Sequence, residues 1–311
     1  MKRFSSITTT QLARICGVSQ GTVDRALHNR AGISPETREK ILAIAREYEY
    51  VPHVKEGNQT RSMLIGVVLF DLYNEFFSKL AMSLVERAGA DGYSVIFLFS
   101  NKDLKEEKSA IDYFNYIGVD GIVLFSVGSD RDEYKNYLQS IRRPIVAIGN
   151  RLFDFPYIGI DDYRAMYDLT CQMISSTKDG EIQYFAPILS KELHEKNAQR
   201  LRVEGFRRAM EEQCRQYRIV LDERNLSSDA AGIICSTDYY VFKALKRLDF
   251  SENMKFAGFD NVSMLETVGK RILTVEYPTD RISAECMNYF LRRKYQADIT
   301  YSVLYRADHI K

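Results

Sequence analysis

From Met63 onward the chain repeats one pattern, a short and almost wholly apolar run followed by an amphipathic stretch of helical period, and this constrains the fold more than any other feature. The first series is LIGVVLF (64–70), SVIFLF (94–99), GIVLF (121–125) and PIVAIG (144–149), with helices expected through 76–89, 110–116 and 133–141. A second series follows YIGID: a helix through 165–174, EIQYFAP (181–187), a helix through 201–213, AGIICS (231–236), a helix through 242–248, and MKFAGF (254–259). ILTVEYP (272–278) and the helix after it lead back to the first series, and a last strand near 301–305 returns to the second. Runs this short and this continuously apolar imply parallel strands buried on both faces. The fold class expected is α/β, with two doubly wound lobes facing each other. Ligands in open α/β sheets bind at the carboxyl ends of the strands, here in the cleft between lobes. Lobe 1 is expected at about 63–160 and 277–297, and lobe 2 at about 161–276 and 298–311.

Residues 1–50 read differently, as three short helices. Thr8 with Gln11 three positions on forms a capping box, so a helix starts near Thr9, with Leu12 and Ile15 on one face. Gly17 follows where a left-handed residue ends the helix and turns the chain. Ser19 caps a second helix in which Val23 and Leu27 face inward, leaving Gln20, Gly21, Asp24, Arg25 and His28 on other faces. Ser34-Pro35-Glu36-Thr37 joins a capping serine to a proline at the first helical position, where its missing N–H costs nothing. Ile41, Ile44, Ala45 and Tyr48 then close a small core. Residues 51–62, VPHVKEGNQTRS, are polar with one proline and one glycine, which marks a linker.

A length of 311 residues at 45% hydrophobic composition is ample for a small N-terminal domain and a larger bilobal unit. Residues 1–61 hold ten Lys plus Arg against six Asp plus Glu, so the N-terminal end is the basic end, although the excess is modest. The polar start MKRFSSITTT has no apolar signal region, and no run approaches the roughly 18 residues of a membrane span, so a cytoplasmic protein without a membrane partner is expected. The five cysteines, at 16, 171, 214, 235 and 286, are scattered and read as reduced, mostly buried thiols. The four histidines, at 28, 53, 194 and 309, form no ligand pair, and there is no Walker loop, nucleophile elbow or dinucleotide fingerprint. No metal, no cofactor and no catalytic residue is expected, and the chain does not read as an enzyme.

The pattern A-x-x-x-G-V-S-x-x-T-V-x-R-x-L over Ala13–Leu27, followed by Ser34-Pro35-Glu36-Thr37-Arg38, resembles the headpiece of LacI/GalR-family transcriptional regulators. The resemblance implies a helix-turn-helix whose second helix lies in the major groove of double-stranded DNA, with Gln20 and Arg25 at base edges. Arginine can grip guanine O6 and N7, and an amide can do the same for adenine N6 and N7. Ser19, Thr22 and Thr8 fall where the family contacts phosphates, and His28 and Asn29 complete the implied DNA-binding set. Gly21 and Asp24 depart from the pattern, which leaves fewer direct contacts; Arg25 can alternatively pair with a carboxylate such as Asp24. Most of the family continues into a hinge helix whose Leu wedges into the minor groove. Here there is no Leu or Ala between Pro52 and Met63, Gly57 interrupts any helix, and Lys55 and Arg61 read equally as phosphate contacts or as a solvated linker.

The remainder resembles the periplasmic sugar-binding fold that the family uses as its effector domain, close to ribose-binding protein. Asn74-Glu75-Phe76-Phe77 stands for N-P-F-F, Asn150-Arg151 for D-R, Thr237-Asp238 for N-D, Phe259-Asp260 matches F-D, Arg202 lies three before Gly205-Phe206, and Glu276 replaces a Gln two before the proline. The effector-binding set implied is Phe76, Phe77, Asn150, Arg151, Arg202, Thr237, Asp260 and Glu276. Carboxylates accepting hydroxyl bonds, arginines donating in fork geometry and aromatic faces on C–H surfaces suit a polyol. Phe76 and Phe77 can also be plain core, and Arg202 a helix-surface ion pair. The expected function is an allosteric repressor, a homodimer on a pseudo-palindromic operator, controlled by a sugar or, alternatively, by a purine or sugar phosphate. No leucine-heptad tail follows Tyr301, which favours the dimer. A two-lobed sugar-processing enzyme is a distant alternative, and a transport protein is disfavoured by the missing signal segment. The effector, the operator and the direction of the response are left open.

Overall fold

The computed structural model describes residues 9–27, 31–48, 61–127, 131–189, 197–248 and 254–306. Its contacts divide the chain into two compact units, the first holding the N-terminal helices and the second both β-sheets.

In the first unit, α1 (Thr9–Cys16), α2 (Gln20–Leu27) and α3 (Pro35–Glu47) enclose Leu12, Ala13, Cys16, Val23, Ala26, Ile41 and Ala45. Gly17 takes φ +69°, and the Val18 N–H returns to Ala13 O at 3.0 Å, so the helix ends as the glycine requires. Ser19 Oγ accepts the Thr22 N–H at 3.2 Å and Ser34 Oγ accepts the Thr37 N–H at 3.1 Å, the two expected N-caps. Two core expectations fail: Ile15 is 41% and Tyr48 44% exposed. The buried stripe of α1 runs through Leu12, Ala13 and Cys16, at i, i+1 and i+4, which turns Ile15 outward. Leu27 is only half-buried, and Ala26 fills the interior beside Val23. Thr8, His28, Asn29 and linker residues 51–60 lie outside the described residues.

The second unit contains a four-stranded parallel sheet in the order β2-β1-β3-β4, from β1 (Leu64–Leu69), β2 (Ser94–Phe99), β3 (Gly121–Leu124) and β4 (Ile145–Ala147). It is covered by α4 (Glu75–Ala90), α5 (Leu104–Ile117) and α6 (Asp132–Ser140). The six-stranded sheet runs β10-β9-β8-β7-β5-β6, from β5 (Ile182–Phe185), β6 (Tyr217–Val220), β7 (Gly232–Cys235), β8 (Lys255–Ala257), β9 (Ile272–Glu276) and β10 (Ser302–Arg306). Only β10, which pairs with β9, is antiparallel. α7 (Asp162–Ser176), α8 (Ala198–Glu212) and α9 (Asp238–Arg247) belong to this layer, whereas α10 (Thr279–Phe290) crosses back to pack on α4. Two crossing segments pair with each other, the Gly159 N–H with Ala297 O at 3.0 Å and the Ile299 N–H with Gly159 O at 2.8 Å.

ILTVEYP, expected to cross back to the first lobe with the helix after it, instead supplies β9 to the six-stranded sheet, and only α10 crosses; three further points differ from the sequence reading. β2 is not buried on both faces: it is the edge of its sheet, with a partner on one side only, and Phe99 is 37% exposed. β6 was not expected, because YRIV places Arg218 within a strand that lies at the other sheet's edge and needs only one covered face. α5 begins at Leu104 rather than near 110, since Asp103 Oδ1 accepts the Lys105 and Glu106 N–H groups at 2.7 and 3.0 Å and so caps a first turn too charged to show an apolar stripe.

Candidate functional site

The carboxyl ends of β1, β3, β4, β5, β7, β8 and β9 converge on one cavity of about 360 Å³. One wall is aromatic. Phe76 and Phe77, buried at the start of α4, meet Phe70, Phe125 and Tyr277 edge to face at centroid distances of 4.9 to 6.1 Å. Asn74 positions this turn: its Oδ1 accepts the Phe76 N–H at 3.1 Å, while its Nδ2 donates to Asp260 Oδ2 at 3.3 Å across the cavity.

The facing wall is polar and centred on Arg202, which lies one turn into α8 after the cap supplied by Asn197. Its Nε donates to Asp162 Oδ1 at 2.7 Å, its Nη1 donates to Ser236 O at 2.9 Å and lies 3.8 Å from Asp260 Oδ1, and its guanidinium sits 3.5 Å from the Phe259 ring centroid. Gly205 makes this possible. A Cβ there would stand 2.2 Å from Tyr163 O, so only glycine lets α8 approach α7 closely enough to bring Arg202 against Asp162. Asp260 is carried on strained backbone, at φ +112°, just beyond β8. Gln199 lines the cavity, and its buried Oε1 has no hydrogen-bond partner among the described residues.

Burial sets the electrostatics. It pushes Asp260 up to about 7, opposed by Arg202 and reinforced by Asp238, and pushes Asp238 up to about 6 against its hydrogen bonds with the Val262 amide and Thr274. Asp162 is also raised by burial, with Arg202 opposing. For Arg202, burial works against the charge, but Asp162 and Asp260 outweigh it and the guanidinium is raised. Near neutrality Asp260 therefore offers a ligand either two acceptors or a donor and an acceptor. The raised carboxyl has a stability signature. Between its unfolded value, about 3.9, and pH 7 the folded chain holds a proton that the unfolded chain has lost, so this group's contribution falls as pH rises. Asp260→Asn is expected to flatten the decline in urea-unfolding free energy between pH 5 and 7, read at three pH values against the parent chain. Parallel pH profiles for the two proteins would contradict it.

Of the expected effector residues, Phe76, Phe77, Asn150, Arg202, Thr237 and Asp260 line the cavity. Asn150 is buried, donates to Ser126 O at 2.7 Å and accepts the Ala198 N–H at 3.0 Å. Arg151 is placed elsewhere: it stacks 4.1 Å from the Tyr157 ring centroid and pairs with Asp298 at 3.2 Å, bracing the crossing segments. Glu276 ends β9 with an exposed side chain, and its neighbour Tyr277 faces the cavity instead. In the first unit, Ser19, Gln20, Gly21 and Arg25 are exposed along α2, opposite buried Val23 and Ala26, with Thr22 half-exposed beside them. Ser19 and Thr22 share a hydroxyl hydrogen bond of 2.9 Å, and Gln20 Nε2 donates to Thr10 Oγ1 at 2.5 Å. A Cβ on Gly21 would meet nothing closer than Ser19 Oγ at 3.8 Å, so no packing within the headpiece demands glycine there.

A helix-turn-helix with its second helix open to solvent, and a separate α/β unit with a ligand-sized cleft at its strand ends, define a DNA-binding transcriptional regulator that carries a small-molecule sensor. The chain belongs to the LacI family. Residues 9–53 match the bacterial regulatory proteins of the lacI family, and residues 62–236 match the periplasmic binding proteins and sugar binding domain of the LacI family. It is 27% identical to the HTH-type transcriptional regulator DegA of Bacillus subtilis over 89% of this chain and 88% of that one. It is 24% identical to the sucrose operon repressor of Pediococcus pentosaceus over 93% of each. Among solved structures it superposes on the lac repressor dimer bound to operator and the anti-inducer ONPF with a TM-score of 0.64 at 16% identity, covering 97% of this chain and 99% of that one. Among the described residues no helix is long and apolar enough to cross a membrane.

Proposed function

We propose that the cleft binds an unphosphorylated polyol, a sugar, and that this binding controls operator affinity in a homodimeric repressor. The observation that carries the ligand class is the matched guanidinium: Arg202 is already held between Asp162 and Asp260, over Phe259 and facing the Phe76, Phe77 and Phe125 wall. A phosphate or carboxylate set here would meet a cation already shared between two carboxyls, and could be held beside Asp260 only if that carboxyl kept its proton. A neutral ring with several hydroxyls meets what it needs, with acceptors at Asp260 and Gln199, donors at Arg202 and Asn197, and aromatic surface for its C–H face. The sucrose operon repressor named above is consistent with a sugar, and the lac repressor dimer bound to operator with a dimer on DNA. On this reading Gln20 and Arg25 of α2 read base edges and Ser19 and Thr22 hold phosphates; Thr8, His28 and Asn29, outside the described residues, are assigned to the same DNA-binding set.

A thermal-shift screen of mono- and disaccharides, their phosphates and purines tests the ligand class. A ligand at 100 times its dissociation constant adds about 2.7 kcal/mol, which raises the melting temperature of a domain this size by roughly 5 to 10 °C. A neutral sugar is expected to give that shift. A shift given only by phosphorylated sugars or by purines would overturn the reading.

A further inference from the structure

Next to Asn74 and Asp260 of the cavity wall, but outside the cavity lining, a second set of contacts joins the two layers and has no part in the ligand recognition described above. α4 belongs to the four-stranded layer, and the short 3-10 turn Ser263–Thr267 belongs to the six-stranded one. Glu75 Oε1 accepts both the N–H and the hydroxyl of Ser263 at 2.7 Å, and the Met264 N–H lies 3.5 Å from Oε2. One turn on, Lys79 Nζ donates to Asn261 O at 3.0 Å and pairs with Glu75 at 2.8 Å. The bonds to Ser263, Met264 and Asn261 span the two layers, the Lys79–Glu75 pair lies within α4, and the two Ser263 bonds place donors on an ionised carboxylate, the stronger kind of hydrogen bond.

We propose that Glu75 and Lys79 form a latch that holds the two lobes together beside the cavity, and that Asp260 and Asn261 couple the latch to the ligand site.

The receiving segment is held firm from behind. Arg306 of β10 donates its Nε to Asn261 Oδ1 at 2.6 Å and pairs with Glu266. Asp260 and Asn261 are consecutive non-glycine residues of positive φ, +112° and +55°, and this one distortion does two things. It turns the Asp260 carboxyl into the cavity and the Asn261 carbonyl toward Lys79. On the other side of the gap, Glu75 immediately precedes Phe76 and Phe77 of the aromatic wall. A ligand that draws Asp260 or displaces the phenylalanines therefore pulls on both halves of the latch. Burial opposes the Glu75 charge, but Lys79 and the Ser263 donors outweigh it and hold the carboxyl down to about 2, so the latch stays ionised throughout the ordinary working range.

Amide hydrogen exchange on the full chain, without DNA or effector, tests the proposal, so its failure would leave the regulator reading standing. Glu75→Ala and Lys79→Met are each expected to speed exchange of the 261–267 segment roughly tenfold, the size of one or two lost charge-assisted bonds, while the strands of both sheets keep their protection. Small-angle scattering should show the radius of gyration increase in the double variant with the helical circular dichroism unchanged. Should Glu75→Ala lose protection throughout the unit, Lys79→Met, which removes only the contact to the Asn261 carbonyl and the ion pair, decides. Unchanged exchange at 261–267 in Lys79→Met, or a parent chain in which that segment is already unprotected, would overturn the latch.

Discussion

Arg202→Met is expected to lower the unfolding free energy by about 3 to 5 kcal/mol, the usual result of removing one partner from a buried ion pair. The substitution keeps much of the side chain's volume, so the loss is electrostatic rather than a cavity effect. Asp162 and Asp260 are left buried with no cation between them, Ser236 O loses its donor and Phe259 its guanidinium. The two carboxyls respond by holding their protons more tightly. Their folded pKa values rise further above the unfolded value, so the penalty is smaller at pH 5 and grows as pH rises toward 8. Urea unfolding at these two pH values checks both the size and the sign. A loss below about 1 kcal/mol at pH 8 would mean that the pair is as weak as an exposed one and that the cleft is not organised around it.

Arg25→Ala is expected to weaken operator binding by about 1 to 3 kcal/mol, or roughly 5- to 150-fold, as the loss of a bidentate base contact does. Arg25 is exposed on α2 and lies outside the small core of Val23, Ala26 and Ile41, so headpiece stability should hardly change. Ser19→Ala provides the contrast: it removes the N-cap seen at the Thr22 amide and should cost about 0.5 to 2 kcal/mol of helix stability, weakening all DNA alike. Fluorescence anisotropy on an operator duplex selected from a random pool, together with a scrambled duplex, separates the two. Equal loss on both duplexes in Arg25→Ala would assign that residue to the phosphate backbone instead.

Local chemistry made the headpiece legible. Ser19, Ser34, Pro35 and Gly17 each act through their own helix end, and each acts as the spacing requires. What failed there, Ile15 and Tyr48, needed the packing angle among three helices, which short periodic stretches do not specify. The apolar runs gave the central strands for the same reason, while β6 and the exposed β2 show that edge strands obey a weaker rule. At the cleft, Glu276 and Arg151 stand one position from residues that do face the cavity, Tyr277 and Asn150. In extended chain the side chains alternate between faces, so a shift of one reverses the outcome. Asp162 and Gly205 could not be found from local pattern, because their roles exist only once α7 and α8 are in contact. Asn74 and Asn197 carried a usable signal, as capping residues after an apolar run or a loop at a strand's carboxyl end.

The most direct test of the account is the affinity of the full chain for its selected operator, measured with and without the neutral sugar that the thermal screen identifies. The dissociation constant is expected to change by at least about fivefold, within the usual coupling of 1 to 3 kcal/mol between sites, and the change should disappear in Asp260→Asn, which alters the cleft and leaves the headpiece sequence intact. A sugar that raises the melting temperature by the expected amount yet leaves operator affinity unchanged would contradict the central claim that this cleft governs DNA binding.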